Sequence, residues 1–150
     1  MRDEINELVL AIQDETGAIN DLVSAVREQR EIMRTGDSQG VDELMNEISD
    51  IFFDVQTFEN KRADLAKKLA ARFSCGPKVS ELVKNLEEDE KIILNGAVDV
   101  LTQSVFVLKG EMIIITGLID HNEKFTSMLL SEYKRLVGDL KQSGAKDFRG

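Results

Sequence analysis

Tryptophan is absent from these 150 residues, and proline, cysteine, histidine and tyrosine occur once each. Each shortage closes off a class of protein. With aromatics at 5%, the core must be aliphatic. One cysteine, Cys75, cannot form an internal disulfide, and near a helix end it lacks the cationic setting that makes a thiol reactive. The lone histidine, His121, rules out the paired Glu-x-x-His ligands of di-iron and di-manganese bundles, because the residue three before it is Leu118. One Cys and one His far apart do not make a zinc site either. There is no Gly-rich phosphate loop, no nucleotide fingerprint and no Ser, His and Asp arrangement, so the expectation is a protein that is no enzyme and takes no cofactor or metal. No run approaches the ~20 apolar residues of a membrane span. Met1-Arg2-Asp3-Glu4 opens on charge without an apolar leader, so a cytoplasmic protein without membrane insertion is expected. A net charge of −9 argues against nucleic acid as a partner, since binding a phosphate backbone requires clustered Lys and Arg.

What the chain does have is helical periodicity. At 42% apolar and 31% charged it is globular or coiled-coil in character, one domain's worth over 1–142 with a flexible tail at 143–150. Ile5, Leu8, Ile12, Ile19, Leu22, Val26 and Met33 keep a 3,4 spacing, widened by Val9 and Val23, which predicts a helix of roughly nine turns from Asp3 to Arg34. Thr35 to Gly40, with two glycines and two capping residue types, predicts a turn. A second helix follows in Val41, Leu44, Ile48, Ile51, Val55, Phe58, Leu65 and Leu69. It is expected to stop at Gly76-Pro77, where glycine would take the left-handed cap and proline cannot continue the ladder. Two helices of similar length joined by a short turn must lie antiparallel.

Beyond Pro77, the residues Val79, Leu82, Val83 and Leu86 predict a short connector helix. Glu87-Glu88-Asp89-Glu90 then suits the positive end of a new helix dipole. From Asp89 to Leu140 the apolar spacing runs through Ile93, Ala97, Val100, Leu101, Val105, Leu108, Met112, Ile115, Leu118, Asn122, Phe125, Leu129, Leu136 and Leu140. A continuous helix of that length would reach ~75 Å and overhang hairpin arms of ~50 Å. The fold class is therefore all-α: an antiparallel hairpin, a connector helix and a long third helix. Within it, Ser104 to Thr116 is rich in β-branched residues around Lys109-Gly110, which leaves a β-hairpin as a local alternative. Gly96, Gly110, Gly117 and Gly138 are separated by multiples of seven and share one helix face, where another backbone could approach closely.

Two charged residues interrupt the hairpin's apolar stripes. Folding about Ser38 or Gln39 sets residue i opposite roughly 75 minus i, which brings Glu15 and Arg62 within one turn of each other. A structural ion pair that sets register is the expectation. At the other end, a third helix that overhangs the hairpin would leave Leu118, Asn122, Phe125, Leu129, Tyr133, Leu136 and Leu140 as an unpartnered face for a second protein, or for another copy of the chain.

The order of these features resembles the flagellar export chaperones of the FlgN family over nearly the whole chain. The resemblance is carried by the Gly36-Asp37 turn, the Glu-x-x-Arg-x-x-Leu pattern Glu59 to Leu65, and the Ser-led segment Ser80 to Leu86. It continues in the acidic start of a long helix and in Asn122-Glu123-Lys124-Phe125 followed by Leu129, Leu130 and Tyr133. It implies a cytoplasmic chaperone that binds the hook-associated proteins of the hook-filament junction, masks their assembly-prone helices, and delivers them to the flagellar export gate or ATPase complex. A structural coiled-coil protein that only oligomerises is the rival reading. A histidine phosphotransfer domain is a third: Lys124 stands at the required third position after His121, but Phe125 replaces the glycine expected next.

Overall fold

Among the described residues five α-helices form where the 3,4 periodicity runs. The computed structural model describes residues 2–120, 126–141 and 148–149. The helices are α1 (Arg2–Thr35), α2 (Ser38–Phe73), α3 (Val79–Leu82), which continues as a 3-10 turn (Val83–Asn85), α4 (Glu88–Asp120) and α5 (Thr126–Lys141). No strand occurs among the described residues, so Ser104–Thr116 is helix, not hairpin.

The α1–α2 turn is tighter than the six residues expected. Gly36 takes a positive φ of 74°, which a residue with a Cβ adopts only at a cost. The Asp37 carboxylate then accepts from the Gly40 backbone N–H at 3.0 Å, so Ser38 to Gly40 are already helical. At the far end of α2 the left-handed cap is Ser74, at φ 53°, and not Gly76. The Cys75 N–H reaches back to Ala70 O at 3.0 Å, so the helix closes on its own last carbonyls before Gly76-Pro77 is reached. A Cβ at Gly76 would meet the Glu81 carboxylate, the far end of a side chain that can swing aside.

Every apolar position named for α1 is buried, and in α2 Val41, Leu44, Ile48, Val55 and Leu69 are buried while Ile51, Phe58 and Leu65 are half-buried. α1 is central, packed along α2 on one side and α4 on the other. Arg2 pairs with Asp89 at 2.8 Å, and Arg27 and Arg30 pair with Glu111 at 3.0 and 3.1 Å, so α1 and α4 run parallel. Between the antiparallel α1 and α2, the Arg62 Nε donates to Glu15 Oε1 at 2.7 Å, with both side chains almost fully buried. The Phe148 ring closes over this guanidinium, 4.6 Å from Cζ to ring centre.

The expected overhang is absent, which is the main correction to the fold. α4 ends at Asp120, about level with the Gly36-Asp37 turn, and α5 packs back along it. Arg149 is ion-paired to Asp99, which brings the described end of the chain back beside α4. Burial explains the reversal: Leu129, Tyr133 and Leu136 enter the core at 2% exposure or less. An overhanging helix would forfeit ~1.5 to 3 kcal/mol for each of them.

Two outcomes are expected from this packing. Truncating either Glu15 or Arg62 alone should cost about 3 to 5 kcal/mol in denaturant unfolding, whereas the double change Glu15→Leu/Arg62→Met should come close to neutral. The second concerns the Tyr133 hydroxyl, which is buried without a hydrogen-bond partner among the described residues and whose burial pushes the phenol's pKa up. Tyr133→Phe should therefore raise the melting temperature, corresponding to about 1 to 3 kcal/mol.

Candidate functional site

α4 carries more apolar side chains than one buried stripe can use. Leu94, Val98, Leu101, Leu108, Met112, Ile115 and Ile119 face the core. On the opposite side Ile92, Ile93, Val100, Phe106, Ile113, Ile114 and Leu118 remain in solvent, from 43% exposed at Leu118 to 72% at Phe106 and Ile113. At 100° per residue these seven, with the half-buried Val107, fall on one continuous face. From Ile92 to Leu118 the face is ~39 Å long. Single exposed leucines are ordinary, but a largely apolar face of this length, interrupted by Asp99 and Gln103, is of the kind found at protein–protein contacts.

The glycines belong to this face. Gly96, Gly110 and Gly117 lie on it, and a Cβ at any of them would meet nothing within 4 Å. They flatten the stripe and let a partner backbone approach closely. Along its lower half the stripe opens into a groove against α1, lined by Gln13, Thr16, Gly17, Asn20, Ile92, Ile93, Gly96, Ala97 and Val100, with a volume of about 440 Å³. Exposed Leu10 extends the α1 wall by a turn.

The positions expected from sequence to receive a partner are distributed differently. Leu118 lies exposed at the upper end of the α4 face. Leu129, Tyr133 and Leu136 lie on the inner side of α5, closed to a partner while that helix is docked. Asn122 and Phe125 are outside the described residues; Leu140 is within α5, but its side chain is not described. Ile93 and Val100, read in sequence as core, are 45% and 55% exposed, because the buried face of α4 is centred one residue further round, on Leu94, Val98 and Leu101. For the missed residues, Ile92, Phe106, Ile113 and Ile114, the sequence shows only that this helix has more large apolar residues than one buried stripe requires, not which of them stay exposed.

Among the described residues there is no cluster of three or more His, Cys, Asp or Glu able to hold a metal, and no helix is long and apolar enough to cross a membrane. The buried carboxylate Glu15 has its pKa raised by desolvation, with Arg62 opposing; the Phe148 ring lies over the guanidinium, and Arg62 and Phe148 together line a cavity of about 240 Å³ against α2 and Pro77. The exposed Glu4 and Asp89 carboxylates are held below their usual range by hydrogen bonds from Arg72 and Arg2, and these bridge helices at the surface.

Serine at Phe106 and Ile113 should leave stability within about 0.5 kcal/mol of the parent, whereas serine at Leu129 or Leu136 should lower it by several kcal/mol, about 2 to 5 as for core truncations. Thermal melts of the four variants check this difference. Equal destabilisation at all four would mean that the α4 face is covered within the chain.

Compared with known proteins, residues 1–139 match the family model described as FlgN protein. No curated protein and no solved structure matches the chain.

Proposed function

The chain belongs to the FlgN family, whose members are flagellar export chaperones for hook-associated proteins, and from that premise we propose that its exposed α4 face holds the client. The observation that carries this reading is the unpartnered apolar stripe from Ile92 to Leu118. Hook-associated proteins polymerise through terminal helices, and an amphipathic helix laid on this stripe would have its assembly surface masked. No turnover or cofactor is required. Binding the unassembled client withdraws it from polymerisation by mass action until it is handed to the export gate or ATPase complex on the cytoplasmic side of the membrane.

A second reading is favoured by one observation, the unsatisfied hydroxyl of Tyr133, which weakens the docking of α5. If α5 lifts away, Leu129, Tyr133 and Leu136 would be presented to the client together with Leu118, Asn122, Phe125 and Leu140. The same release would open a surface for a second copy of the chain.

Calorimetry with a purified hook-associated protein distinguishes the two. On the first reading Phe106→Ser/Ile113→Ser weakens client binding at least tenfold and Tyr133→Phe leaves it unchanged. On the second the order reverses, because Tyr133→Phe holds α5 down and competes with the client.

A further inference from the structure

Ionic bridges tie α1 to α4 on either side of the groove, Arg2 to Asp89 below it and Arg27 with Arg30 to Glu111 above it. Between the bridges α1 and α4 run parallel for the 22 residues that separate Asp89 from Glu111, or ~33 Å. Both walls of the groove lose a side chain, at Gly17 on α1 and at Gly96 on α4, staggered by ~9 Å along the axis in the register of the bridges, each with open space where a Cβ would project. Apolar flanks remain on the α4 side in Ile92, Ile93, Ala97 and Val100. A helix laid on the α4 stripe can therefore drop a large side chain between the two glycines. A polar side chain would lose its water against those apolar flanks, so the pocket selects an apolar one.

Charge at the rim defines the rest of the occupant. No Lys or Arg lines the groove. Asp21, one turn beyond Gly17, and Glu28 two turns further on are exposed on the outer ridge of α1, and no ion pair among the described residues engages them. Arg27, between them, is turned to Glu111. On the exposed face of α4 itself, Asp99 already holds a cation, the chain's own Arg149. The groove thus has an apolar floor beside carboxylates, and the complementary ligand is a helix with an apolar face and Lys or Arg along its flank.

We propose that Gly17 and Gly96 form the anchor pocket for a bulky apolar residue, Leu, Met or Phe, on a client helix whose flank is basic. This rests on the reading that the client lies on the α4 face, and it adds the position of the anchor and the charge of the partner. Gly17→Leu and Gly96→Leu fill the pocket from opposite walls, and leucine is the better helix former, so the fold is expected to survive with an unchanged or higher melting temperature.

The probes are the purified hook-associated protein and a synthetic helical peptide with leucine at 3,4 spacing and a lysine flank, titrated into the full chain in parallel with Phe106→Ser/Ile113→Ser. If the anchor is right, each leucine variant weakens binding of both probes at least tenfold. Asp21→Lys/Glu28→Lys weakens the lysine peptide and removes most of the dependence of its affinity on salt. Parental affinity in the leucine variants, with binding lost in Phe106→Ser/Ile113→Ser, overturns the anchor and leaves the client on the stripe. Parental affinity in Phe106→Ser/Ile113→Ser overturns the stripe reading itself, whatever the leucine variants do. A dimer of the free chain that Gly96→Leu converts to monomer would assign the groove to a second copy and likewise overturn the proposal.

Discussion

A carboxylate and a guanidinium held out of water at the centre of the bundle set the register on which the rest of the structure depends. Glu15 and Arg62 are both almost fully buried, and either one alone would be an uncompensated charge in an aliphatic core. Apolar stripes tolerate sliding by a turn, since one leucine serves much like the next; a buried ion pair does not. The contact fixes α1 against α2, and the face of α1 left over then dictates where α4 must lie. Phe148, stacked over the same guanidinium, also ties the far end of the chain to this point. Desolvation raises the pKa of Glu15 even with Arg62 beside it, so burying the pair is costly and its contribution is to specificity.

A bundle in this register buries one face of each helix, and α4 is the helix for which that is not enough. Its outer surface presents isoleucine, valine and phenylalanine where α1 presents Asp3, Asp21, Glu28 and Glu31. Because α1 is central, most of its apolar residues are consumed by two neighbours, and what is left over is a mainly polar ridge that carries Asp21 and Glu28, with Leu10 and Gly17 also open. α4 has α1 on one flank and α5 on the other, and the remaining side meets water. The juxtaposition of this ridge with an apolar stripe, with glycines at their seam, follows from the packing order of the helices and suits an amphipathic partner of basic character.

The hairpin was legible because its signals are local and redundant. The spacing of Ile5, Leu8, Ile12 and Ile19 specifies a helix face without knowledge of a partner, and antiparallel geometry then brings Glu15 to Arg62 by arithmetic on the turn position. The break after Asp120 had a weaker signal. Between Ile119 and Leu129 only Phe125 and Met128 are apolar, and Thr126-Ser127 can start a helix, yet the 3,4 count passes through this stretch without interruption. Periodicity reports which face of a helix is apolar; it does not report whether that face continues along one axis or folds back.

The sequence by itself determined the helices, the antiparallel hairpin, the buried pair and the family, because each depends on residues near in the chain or on spacing alone. Tertiary structure alone decided which apolar residues stay in water. Ile113 and Ile115 are equally hydrophobic and two positions apart, and one is 72% exposed while the other is fully buried. The same holds between helices, where Leu136 lies in the core and Phe106 in solvent. The physical reason is that exposure depends on which faces the neighbouring helices occupy, and those neighbours come from distant parts of the chain.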